Sequence, residues 1–155
     1  MNDVIHVIVT HKLPCETEQA FQFWTKPHWI RRWMAGSLRQ MGLPGDVQTV
    51  EVTSGLGGSF CFSDRRDMGE VFHWGTYTVW DEPSQLAFTW NADLKWEPEI
   101  DDATSLVTIK FDQVEGGCEI ELVHQMDSQW VEYEERTKKG WTSMLESIRD
   151  LINSP

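Results

Sequence analysis

An α+β fold is predicted, in which a curved antiparallel sheet of about seven strands wraps around one long C-terminal helix, with two short helices after the first strand. Three observations point to it. Alternating segments rich in β-branched and aromatic side chains recur between residues 47 and 126, mostly across short turns. A single stretch of helical period closes the chain, and one isolated strand with two helical stretches opens it. Sequential hairpins make an antiparallel sheet, and one amphipathic helix covers one of its faces.

Taken in order, DVIHVIVTHK (3–12) alternates as a strand, and Pro14 closes it. CETEQAFQFW follows with acids in its first turn, as a helix start prefers, and Ala20, Phe21 and Trp24 share a face. Thr25, ahead of Lys26-Pro27, starts a second short helix in which Trp29, Ile30 and Trp33 form a stripe and Gly36 is the expected end. Strands are expected at 47–53, 59–64, 70–81, 85–91, 105–114 and 118–126. SGLGG, RRDMG, DEPS and EGG supply turns between them, with glycine available for positive φ. Leu86, Phe88 and Trp90 alternate on one strand, Val107, Ile109 and Phe111 on the next, and Ile120, Leu122, His124 and Met126 on the last.

From Ser128 to Ile152 the period becomes 3.6, with Trp141, Met144, Leu145, Ile148 and Leu151 on one stripe. A helix of roughly 25 residues is about 37 Å long and crosses a small sheet. A flat sheet would not bury so many large side chains. The sheet therefore curls around the helix and leaves a space, closed at one end by the short helices, that is the candidate pocket.

The totals exclude several classes of function. A chain of 155 residues suits a single domain over 1–155. No apolar run is long enough for a transmembrane helix, and MNDVIHVIVTHKL lacks the basic start of a signal peptide, so a cytoplasmic protein is expected. Cys15, Cys61 and Cys118 sit at no metal-binding spacing and read as reduced thiols. Thirteen basic residues against 25 acidic ones leave a net charge of −12, which argues against nucleic acid and against an anionic membrane.

FQFWTKPHWIRRWMAG, the GGSF hairpin, WGTYTVWDEPSQLAFTW, GGCEIELVHQM and KKGWTSMLESIRDLI resemble, in order, the bacterial relatives of the activator of the ninety-kilodalton heat-shock chaperone's ATPase. That family belongs to the START-like, or helix-grip, superfamily, so the resemblance implies a helix-grip fold. The superfamily includes lipid and hormone carriers, polyketide cyclases and members with no known activity. The eukaryotic activators carry an additional N-terminal domain that docks on the chaperone. This sequence starts directly at its first strand, so the activator role is not expected of it. Chaperone contact and homodimer formation stay open as implied partnerships.

The leading functional expectation is a domain that binds a small apolar or aromatic ligand between sheet and C-terminal helix. Nine tryptophans exceed the needs of a core this size, so some are expected to face a void. The candidate lining is Trp24, Trp29, Trp33, Phe60, Phe62 and Trp74, with Tyr77, Trp90, His124, Trp141, Met144 and Leu145 completing it. His73 and His124, with Tyr77, would form its polar end, and a histidine there would titrate near neutrality. Two alternatives stand beside this one: a cyclase- or hydrolase-type enzyme using His124 or His73, and an interaction module docking through Trp29–Trp33. Arg65 and Arg66 read as a solvated hairpin tip or an anion site. Glu97, Glu99, Asp101 and Asp102 read as an acidic loop without the ligand pattern of a calcium site. No phosphate loop, nucleophile elbow or zinc motif occurs, so no cofactor and no metal are expected.

Overall fold

Strand alternation is realised as register. In a computed structural model that describes residues 3–94 and 105–153, Val107, Ile109 and Phe111 of β7 (Leu106–Val114) lie opposite His124, Leu122 and Ile120 of β8 (Gly117–Asp127). β8 pairs in turn with β1 (Val4–Leu13), where Val7 meets His124 and Val9 meets Leu122. Apart from His11 and His124, one face of this ladder is mainly apolar, so a register slip of a single residue would turn it to solvent.

The remaining strands are β2 (Asp46–Val52), β3 (Ser59–Arg66), β4 (Gly69–Asp81) and β5 (Gln85–Thr89). The sheet runs β1-β8-β7-β5-β4-β3-β2 with every neighbour antiparallel. An eighth strand, β6 (Asn91–Asp93), also pairs with β4. The segment expected as one strand over 85–91 is thus broken at Trp90. A bulge between Tyr77 and Val79 of β4 bends the sheet locally, as an unpaired extra residue does.

The helices differ from expectation in two places. α1 is Thr17–Thr25, but α2 (Pro27–Gln40) passes straight through Gly36. A Cβ at Gly36 would lie 2.5 Å from Ser147 Oγ, so this glycine serves close helix packing rather than termination. Termination falls to Gly42 at φ 82°. There the Leu43 N–H donates to Leu38 O and the Gly42 N–H to Arg39 O, the paired bonds of a glycine-terminated helix. The C-terminal helix begins with a 3-10 segment, Ser128–Tyr133, which is kinked at Trp130, and continues as α3 (Glu134–Asn153).

α2 and α3 meet through small side chains. Ser147 Oγ donates to Trp33 O at 2.8 Å, and Ser143 Oγ lies 3.0 Å from Ser37 Oγ. The bonds satisfy buried hydroxyls, and the absent Gly36 side chain lets the backbones approach. Behind this contact lies a continuous core that includes Ile30, Trp33, Ile109, Leu122, Leu145 and Ile148.

Candidate functional site

The inward face of β3 carries Phe60, Phe62, Asp64 and Arg66 at alternate positions, and register places His73 of β4 opposite Phe62. α2 presents Met34 and Leu38, and Met41 follows at its C-terminal cap, over this end of the sheet, while α3 presents Gly140 and Met144. Between them is a cavity of about 180 Å³. Trp33, Phe62 and Trp90 supply its aromatic walls and Met34, Leu38 and Met144 its aliphatic ones. Arg66, His73 and Ser37 are the polar groups on its lining, and Gly140 offers bare backbone.

Asp64 determines the electrostatics. Its side chain is fully buried and holds the Arg66 guanidinium in a fork, with Nε to Oδ2 at 2.7 Å and Nη2 to Oδ1 at 3.2 Å. Arg66 is therefore not the solvated hairpin tip expected of its sequence; it lies back on the sheet, 21% exposed. His73 stacks on Trp90 with ring centroids 5.0 Å apart. Burial first, and the Arg66 charge second, push its pKa down to about 4 against an opposing pull from Asp64, so it is neutral at pH 7.

The family model of the activator of Hsp90 ATPase homolog 1-like proteins matches residues 14–153. The chain belongs to this family. Solved structures agree in fold. Protein Ms6760 of Mycobacterium smegmatis is 19% identical with a TM-score of 0.76, covering 99% of this chain and 97% of its own. SA2116 of Staphylococcus aureus, titled a protein of unknown function, is 15% identical with a TM-score of 0.78 over 99% and 96%. CalU16 of Micromonospora echinospora is 18% identical with a TM-score of 0.66, over 97% of this chain and 76% of its own. No curated protein sequence matches the chain.

In this member of the homolog 1-like family the twelve expected lining residues divide. Trp33, Phe62, Trp90 and Met144 meet at the cavity. Trp24 packs behind Trp33, centroids 5.2 Å apart, and Trp29 packs on Phe23 with Arg32 over its outer face. Phe60, Tyr77 and Leu145 are core. Trp74 follows His73 directly, so strand alternation sends it to the opposite face of β4. Met34, Ser37, Leu38, Met41, Arg66 and Gly140 were not among the expected lining. Extending the Phe60–Phe62 alternation by two steps reaches Arg66, and stepping i, i+4 from Trp33 reaches Ser37. Glu97, Glu99, Asp101 and Asp102 lie outside the described residues. Among the described residues no group of three or more potential ligands gathers for a metal, and no helix is long and apolar enough to cross a membrane.

His124 does not join His73. It sits between Val7 and Val107 on the sheet, accepts the Trp141 indole N–H at Nδ1 (3.0 Å), and contacts Ser105 Oγ through Nε2 (3.0 Å). An indole only donates, so Nδ1 is the bare nitrogen and Nε2 carries the proton toward Ser105. With both nitrogens committed, His124 has no lone pair left for a ligand, and burial pushes its pKa down to about 4. On the docking face expected at Trp29–Trp33, Trp33 is buried, 2% exposed, while Trp29 is half-buried and Arg31 and Arg32 are exposed. The large apolar groups that do face solvent include Trp130, Val131 and Tyr133 on the 3-10 segment.

A pH dependence follows. His124 is neutral when folded and charges below its ordinary 6.5 once the chain unfolds, so its contribution is complete above pH 6.5 and is lost as pH falls toward about 4. The loss from this residue is about 3 kcal/mol. His124→Gln takes up no proton there. In urea denaturation the stability gap between parent and variant should narrow from about pH 7 to about pH 4.5; parallel profiles would mean that the imidazole is charged inside the fold.

Proposed function

We propose that the domain binds a small apolar, ring-containing molecule in the cavity between α2, α3 and the β3–β4 hairpin. The observation that carries this reading is Gly140. It lies inside α3, where glycine costs about 1 kcal/mol relative to alanine. Nothing lies within 4 Å of where its Cβ would be, so no close packing accounts for it, unlike Gly36. What the missing side chain preserves is free volume on the cavity wall. Walls of two indoles, a phenyl ring and thioethers suit a flat apolar guest. Three buried free thiols favour a reducing compartment, and hence the cytoplasm, as its setting.

The enzyme reading is weaker on the same geometry. With His124 committed to Trp141 and Ser105, His73 is the remaining candidate base, and its depressed pKa makes it a feeble one at neutral pH. Chaperone contact, which family membership also suggests, would use a different surface, the exposed Trp130–Tyr133 segment.

The test uses toluene as probe. Gly140→Ala should raise stability by about 0.5–1 kcal/mol in chemical denaturation. Gly140→Leu should fold, yet bind toluene at least tenfold more weakly in calorimetric titration, because the side chain grows into the void. Undiminished toluene binding by Gly140→Leu would remove the cavity from the account.

A further inference from the structure

Resting on that cavity reading, we infer the chemical class of the guest: an uncharged single aromatic ring carrying one oxygen acceptor, such as an aryl ketone or a phenol. Three independent features set the class.

Size comes first. A cavity of about 180 Å³ is close to the ~150 Å³ engineered void that holds benzene. It takes one ring and a short substituent. Fatty acids and fused polycycles exceed it.

The second feature is unspent hydrogen bonding. A guanidinium has five N–H donors, and Asp64 engages one on Nε and one on Nη2 of Arg66. The other three are left over. His73 adds a donor and an acceptor, because its ring is stacked on Trp90 and, among the described residues, neither nitrogen has a hydrogen-bond partner. Arg66 and His73 stand on the same face of neighbouring strands, by the register that sets Phe62 opposite His73 and Arg66 opposite Gly69. Ser37, the remaining polar lining residue, is occupied by Ser143. A purely hydrocarbon guest would bury Arg66 and His73 without satisfying them, which is costly. One oxygen acceptor, with two lone pairs, can take a hydrogen bond from each of them.

The third feature is charge. The Asp64 carboxylate already neutralises Arg66, and neutral His73 contributes nothing, so the lining carries no net positive charge. A carboxylate entering it would be desolvated without an unpaired cation to meet it. The chain's net charge of −12 also repels anions at long range. The oxygen must therefore belong to a neutral group.

Four probes on the intact chain separate the possibilities in calorimetric titration: toluene, acetophenone, benzoate and decanoate. Acetophenone should bind about tenfold tighter than toluene, the value of one added hydrogen bond, and both should outbind benzoate and decanoate. His73→Phe keeps a ring on Trp90 and removes the nitrogens, so it should shrink the acetophenone-over-toluene affinity ratio. Benzoate or decanoate binding tighter than acetophenone, or toluene matching acetophenone, overturns the assigned class and leaves the cavity standing. Binding of none of the four overturns the cavity reading itself, and the class with it.

Discussion

Trp33→Ala should lower the stability of the folded chain by about 3–5 kcal/mol, the largest loss expected from any single truncation here. Trp33 is 2% exposed, packs on Trp24, and donates its indole N–H to the Phe23 carbonyl at 2.7 Å. That carbonyl belongs to the last turn of α1, where the helix has no backbone donor to offer it. The indole thus fills the core and closes a helix end at once. Trp33→Phe separates the two contributions: it keeps most of the ring and should cost about 1–3 kcal/mol for the unpaired carbonyl. The same truncation strips a wall from the cavity, so toluene should bind more weakly under conditions in which the variant is still folded. Equal unfolding midpoints for Trp33→Ala and Trp33→Phe would refute the packing argument. Parental toluene affinity in folded Trp33→Ala would place the guest elsewhere.

Leu145→Ala should cost about 2–5 kcal/mol, because it opens a hole where the helix is gripped. Leu145 has no exposed surface and lies on the α3 stripe with Trp141 and Ile148, all in the continuous core. Glu146, the next residue, is exposed on the same helix, and Glu146→Ala should change stability by no more than about 0.5 kcal/mol. Urea denaturation of the pair decides the matter. An unchanged midpoint for Leu145→Ala would mean that the sheet does not close on this helix.

These two residues also show how far the sequence could be read. Leu145 is legible at once, because an amphipathic helix on a sheet repeats its buried positions every three to four residues. The inward faces of β7 and β8 are legible for the analogous reason, with a period of two. Trp33 is legible as buried, but its bond to Phe23 is not, because nothing in WTKPHWIRRW says how α1 and α2 are angled. Gly36 and Gly140 look alike in the sequence, where Gly36 has the look of a helix stop. The structure gives them opposite surroundings, a serine hydroxyl at 2.5 Å for one and open space for the other.

Local pattern accounts for the elements, their order, the buried face of most of them and the single closing helix, since each depends on contacts within a few residues or on the strict periods of helix and strand. The cavity depends on distances between elements distant in sequence: α2 against α3, β3 against both, Trp90 at a strand break. Packing set those distances. It drew Arg66 back onto Asp64 and tied His124 to Trp141. Side chains that appear equivalent one by one acquire different chemistry only when the assembled fold decides which are desolvated, which are paired, and which still have a bond to offer.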